Sequence, residues 1–305
     1  MKRTALVPFL LLAAAGFVSR AREAYALPIP PEVKSVVAFV FVPDKESGAF
    51  KPWGTGFFVG AKDETNPDRF FVYLVTAKHV LQTSDQKDWL PQIFVRINTR
   101  AGGSEMVAIP IVVSGAKQTV FLHPTDKSAD VALIPALPNE KHFDFKFLGQ
   151  EYLTSPQDFK QLGIAEGSDV FFTGLFAPYV GARRNFPVVR FGRVALVTDE
   201  KVRFGDRDAD LYLVETSSYG GNSGSPVFFF LGSDRQPGSI ILGAPVLKLA
   251  GVMSGTFLDV QPVRAVDTAR IAVSQSNVGI AAVVPAYKVW EILTSRELIS
   301  KRPKK

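Results

Sequence analysis

From residue 35 onward, short apolar runs rich in β-branched and aromatic residues alternate with clusters of Gly, Pro, Asn and Asp. Runs of this length and composition predict strands, and the residues between them predict turns. The predicted strands are 35–42, 55–59, 70–76, 93–98, 106–113 and 130–135, followed by 170–175, 188–197, 211–216, 226–231, 246–256 and 278–284. A less regular stretch, 137–168, parts the two sets. Strands in two groups of six predict an all-β protein of two antiparallel barrels or sandwiches rather than alternating βα units. The divisions expected are 27–148 for the N-terminal barrel and 149–305 for the C-terminal one. A single helix is predicted near the end, where Pro285 precedes Ala286–Leu293 and Val289, Ile292 and Leu293 stand at helical spacing.

Composition adds the compartment. The chain opens with Met1-Lys2-Arg3, continues with an apolar run from Ala5 to Val18, and reaches Ala24-Tyr25-Ala26, a small-x-small cleavage pattern. Residues 1–26 are therefore expected to be a signal peptide, with the mature chain starting at Leu27 in the periplasm or outside the cell. A retained anchor is the rival reading, but the run is shorter than the ~20 apolar residues of a spanning helix and contains Pro8. No stable membrane span is expected after cleavage. With no cysteine at all, neither a disulfide framework nor a cysteine nucleophile is available. The net charge of +6 lies at the ends: residues 1–26 carry +3 and the last five residues +4, leaving the body near −1. That distribution gives no basic stripe for phosphates, so no nucleic-acid partner is expected, and the Lys-rich tail reads as solvated.

The segment Gly220-Gly221-Asn222-Ser223-Gly224-Ser225-Pro226 lies between two predicted strands. Glycines on both sides of Ser223 permit a tight turn that lifts the hydroxyl out and gathers backbone N–H groups, although a plain hairpin loop has the same composition. A serine hydroxyl needs a base, and the chain has three histidines. His123 and His142 fall in polar connections, whereas His79 ends the run 70–75, where rigid backbone can fix its ring. Asp130 opens the run Val131-Ala132-Leu133-Ile134 and is placed to orient an imidazole; taken alone it reads first as a strand-start or turn aspartate. The widely spaced histidines and absent cysteines lack the spacing of a zinc site, and the chemistry needs no cofactor.

Three segments in the order His, Asp, Ser carry a resemblance: Thr76-Ala77-Lys78-His79-Val80, Asp130-Val131-Ala132-Leu133-Ile134 and Gly221-Asn222-Ser223-Gly224-Ser225-Pro226. Together they resemble the trypsin/chymotrypsin-like serine protease superfamily. Gly54-Thr55-Gly56-Phe57-Phe58-Val59 further resembles the strand before the histidine in bacterial members such as the Deg-type proteases, here without a PDZ domain. The resemblance implies two six-stranded β-barrels with the site between them, an endopeptidase acting on protein or peptide substrates, and Ser223 as nucleophile with His79 and Asp130. It further implies oxyanion donors at the backbone N–H of Gly221 and Ser223, and a primary pocket with Ser217 at its base. The strand Gly251–Gly255, with Ser254, would line the substrate cleft. Ser217 is uncharged, which implies small or medium apolar residues at the cleaved position, unless Glu215 on the same strand face supplies a carboxylate. Two rivals stay open: a non-catalytic binding protein on this fold, and an esterase with the same triad.

Overall fold

The computed structural model describes residues 29–44, 46–232, 245–263 and 272–303; the expected signal peptide, 1–26, lies outside them. A short helix α1 (Glu32–Ser35) leads into a first sheet of β1 (Val37–Pro43), β2 (Phe50–Asp63), β3 (Asn66–Thr76), β4 (Gln92–Asn98), β5 (Ser104–Pro110), β6 (Phe121–Leu122), β7 (Ala132–Pro135) and β8 (Leu148–Gly149). Its strand order is β5-β4-β1-β2-β3-β7-β6, and β8 runs parallel to β2. The sequence predicted six strands closed into a barrel here. Instead the hydrogen-bonded order holds eight strands and is not closed; the two added strands, β6 and β8, are two residues each, too short to show a period in sequence.

After a helix α2 (Pro156–Leu162) come β9 (Asp169–Gly174), β10 (Val188–Leu196), β11 (Val202–Phe204), β12 (Arg207–Ala209), β13 (Tyr212–Glu215), β14 (Pro226–Leu231), β15 (Val246–Val263) and β16 (Ala272–Pro285). Six of these close into a barrel in the order β10-β13-β16-β15-β14-β9, as predicted, while β11 and β12 form a separate hairpin. Helix α2 lies inside the stretch that lacked a strand pattern. Its start is a reciprocal cap between Ser155 and Asp158 with Pro156 in the first turn, and Gly163 ends it at φ 62°.

Alternation decides what each strand buries. On β1, Ala38 and Val40 enter the core of the first sheet with Phe58, Leu74 and Ile134, while Phe39 and Phe41 turn to the opposite face and are buried there too. The barrel is filled by Phe172, Val194, Val214, Phe229, Met253 and Ala281 among others. The predicted C-terminal helix is α3 (Ala286–Leu293), with Val289, Ile292 and Leu293 buried, and a second helix α4 (Arg296–Ser300) follows it on a Ser295 cap. The basic tail, expected to be solvated, is partly docked. Arg302 donates to the Tyr73 hydroxyl at 3.0 Å and to the Leu293 carbonyl at 2.9 Å, and stacks on the rings of Phe71 and Tyr73. Among the described residues no helix is long and apolar enough to cross a membrane.

Candidate active site

The pairing of β3 with β7 brings the first two candidates together. Thr76, the last residue of β3, stands opposite Ala132, the first of β7, so the residues just after Thr76 and just before Ala132 leave the sheet at the same edge. His79 follows in a short 3-10 turn, Lys78–Leu81, fixed from beneath by buried Val80 and Leu81. Asp130 is 1% exposed and reaches His79 twice: Oδ1 accepts its backbone N–H at 3.0 Å, and Oδ2 lies 2.7 Å from the ring Nδ1. The carboxylate thus sets both the turn and the ring, which leaves Nε2 as the ring nitrogen that serves the cleft. His123 and His142, set aside in sequence, pair instead with Glu291 and Glu105.

Burial by itself would raise the Asp130 carboxyl. The charge and hydrogen bond of His79, then the guanidinium of Arg207 and the hydroxyl of Ser254, outweigh it and hold the carboxyl well below the usual carboxylate range. Lys78 faces the same region; burial holds its ammonium below the ordinary lysine value, and it donates to the Lys127 carbonyl at 2.8 Å.

The loop that carries Ser223 is held by residues from both sheets. Thr55, fully buried on β2, accepts the Leu175 N–H at 3.0 Å and donates to the Gly221 carbonyl at 2.8 Å through one hydroxyl. Its backbone N–H donates to the Ser223 carbonyl at 2.8 Å, and its own carbonyl accepts the Thr76 hydroxyl at 2.7 Å. Asn222, 3% exposed, closes the turn by accepting the Tyr219 N–H at 2.9 Å and donating to the Leu175 carbonyl at 2.7 Å. Gly224 lies at φ 84°, where a Cβ would strike the Thr55 carbonyl, so no other residue fits. Among the described residues, the N–H groups of Gly221 and Ser223 have no acceptor. Ser223 Oγ is turned to the Ser254 carbonyl at 3.3 Å and makes no hydrogen bond to the His79 ring.

His79, Asp130 and Ser223 line one cleft of about 840 Å³. A family model of the trypsin-like peptidase domain matches residues 54–232, more than half of the chain and a span holding all three side chains. The chain belongs to this family. Among solved structures, this trypsin-like peptidase domain is similar to the MamO protease domain of Magnetospirillum magneticum, with 16% identity, a TM-score of 0.48, and 87% of this chain and 99% of that one covered. It is also similar to the inactive form of the Rv3671c protease of M. tuberculosis, with 16% identity, a TM-score of 0.42, and coverage of 86% and 88%. No curated protein sequence matches it.

Two of the predicted substrate contacts of this peptidase domain change on inspection. Ser217 is exposed outside the cleft lining, its carbonyl accepting Arg190 at 3.4 Å, and Glu215 shares that outward side. The cleft wall begins one residue later, at buried Ser218, and continues through Tyr219 and Gly220, with Asn277 donating to the Ser218 carbonyl at 2.6 Å. Ser254 does line the cleft, but its hydroxyl donates to Asp130 Oδ2 at 2.5 Å, so what it offers a substrate is backbone. Two contributors went unread in the sequence. Thr55 lay within a motif quoted only for its resemblance, and Arg207 sits in a polar stretch with no periodic signal. Among the described residues, no group of three or more His, Asp or Glu side chains is placed to hold a metal ion.

Proposed function

We propose that this chain is an exported serine endopeptidase in which Ser223 attacks a peptide carbonyl and passes its proton to His79 Nε2. The observation that carries this reading is the convergence in one cleft of a buried carboxylate bonded to the His79 ring, a serine on a tight glycine-flanked turn, and two N–H groups beside it that have no acceptor among the described residues. Asp130 supports the imidazolium that forms, and the N–H groups of Gly221 and Ser223 receive the oxyanion. His79 then returns the proton to the leaving amine, and water releases the acyl group from Ser223. The step requires the Ser223 hydroxyl to turn from the Ser254 carbonyl to the ring, and catalytic hydrogen bonds commonly tighten only once substrate is bound. The wall at Ser218, Tyr219 and Gly220 carries no charge, and Phe204 and Phe257 add an apolar side, which suits small to medium apolar residues at the cleaved position.

A fluorophosphonate probe tests the reading: it should label the protein at Ser223, with the label absent from Ser223→Ala. A binding protein on the same fold is the second reading, favoured by the turned-away Ser223 hydroxyl, and it predicts no label on the wild type. Export is tested by N-terminal sequencing from the native host, where a start at Leu27 is expected and a start at Met1 in a membrane fraction would overturn it.

A further inference from the structure

Asp130 has a second cationic partner besides His79. The hairpin of β11 and β12 turns at Gly205-Asp206 and sends Arg207 into the cleft, where its NH2 lies 3.1 Å from Asp130 Oδ2 and 3.0 Å from Ser254 Oγ. The Arg207 side chain is 22% exposed, and among the described residues Asp130 is its carboxylate partner. The contact is anchored at a distance. Lys288 on α3 pairs at 2.8 Å with Asp210, just past β12, and at 2.8 Å with Asp126, in the segment that delivers Asp130. One ammonium therefore holds the bases of both arms, the one presenting the guanidinium and the one presenting the carboxylate.

The charge count of the step gives this contact its meaning. At rest, with His79 neutral, the Arg207–Asp130 pair is already balanced. When His79 takes the Ser223 proton, the cluster becomes net cationic in a poorly solvated place, whereas without Arg207 the imidazolium would balance a lone carboxylate. Arg207 thus stabilises the resting state more than the transition state, which slows the step. Orientation of the carboxylate does not depend on it, since the His79 backbone N–H and the Ser254 hydroxyl already hold both oxygens. Among the described residues the other cation facing this cluster is Lys78, and the Asp206 carboxylate of the hairpin turn lines the same cleft; Ser223 and Ser254 bring no charge.

We infer that Arg207 acts through Asp130 as an electrostatic brake: from the β11–β12 hairpin it neutralises Asp130 and withholds part of its support from the His79 imidazolium. The inference rests on the proteolytic reading above. The experiment is kcat/KM on a peptide substrate against pH, with active enzyme counted by fluorophosphonate titration, for the wild type, Arg207→Met and Arg207→Gln. Both variants remove the charge, and Gln keeps a donor. Both should raise the plateau roughly threefold or more and move the pH of half-plateau activity upward by about one unit, as loss of a nearby like charge does. A lower plateau with an unmoved half-point in both variants overturns the brake and makes Arg207 a structural support. So does wild-type behaviour in Gln combined with a loss in Met, since a hydrogen bond would then be what matters. If Met does not fold, Gln alone decides between a raised and an unraised plateau. Labelling of none of the three proteins overturns the catalytic reading itself, a result distinct from labelled variants that are no faster.

Discussion

Asp126 and Asp130 share one segment, and the partners of each assign it a different task. Asp130 touches only the cluster around His79, so Asp130→Asn should lower kcat/KM on the order of 10⁴-fold, as loss of the orienting carboxylate does in a related triad. Asp126 sits against Lys288 and caps Ser128. Burial works against its ionisation, but the Lys288 ammonium and the Ser128 hydroxyl prevail and hold its carboxyl well below the usual range. A carboxyl depressed in the folded state stabilises above its unfolded value, near 3.8; that contribution begins to fall away below this value and is fully lost only as pH drops through the lower folded-state value. Asp126→Asn should therefore cost about 2 kcal/mol of stability at neutral pH and lower turnover far less than Asp130→Asn does. Thermal unfolding followed between pH 7 and 3 should show the gap to the wild type closing below about pH 4, the unfolded carboxylate value. A kinetic loss in Asp126→Asn comparable to that in Asp130→Asn would mean that the wrong carboxylate has been placed beside the histidine.

At the scale of elements, the strand β2 does more than pair with its neighbours, because Thr55 ties it to the nucleophile loop and to the segment after β9. Thr55→Val keeps the shape but leaves the buried Leu175 N–H without its acceptor, at about 1–3 kcal/mol. It should lower kcat more than it changes KM, as steady-state kinetics with a peptide substrate can read; an unchanged kcat would separate the loop from this staple. The strands themselves were legible as short continuous apolar runs, buried nearly throughout in β9 and β14 and over the last five residues of β3. The hairpin of β11 and β12 was not, since three residues per strand, with Arg203, Arg207 and Asp208 among them, carry no period. The pocket wall was displaced by one residue for a local reason: the Ser217 carbonyl is drawn outward to Arg190, so Ser218 takes the buried position. With that neutral wall, matched peptides differing at the cleaved position should favour Ala, Val or Leu. A tenfold preference for Arg in kcat/KM would show an acidic pocket and contradict the assignment.

Over the whole molecule, His79 and Asp130 come from the edge of one sheet and Ser223 from a turn of the closed barrel, so the cleft exists only where the two meet. That meeting was readable as three short motifs in a fixed order, but not as geometry. Sequence shows which side chains can react, while the direction of the Ser223 hydroxyl, the Ser254 bond to Asp130 and the arrival of Arg207 depend on contacts across 31 to 124 residues of chain. The C-terminal helix was visible by its spacing, yet its role as an anchor through Lys288 was not, because its partners Asp126 and Asp210 lie on different arms. The central claim is that these groups together hydrolyse peptide bonds. It is tested most directly by the turnover of a mixed peptide library by the protein beside Ser223→Ala and His79→Ala, each checked for a native-like thermal transition. The account predicts measurable cleavage by the wild type and a fall of several orders of magnitude in both variants, as in a triad acting as one unit. Cleavage surviving in either variant, or absent from the wild type, would contradict it.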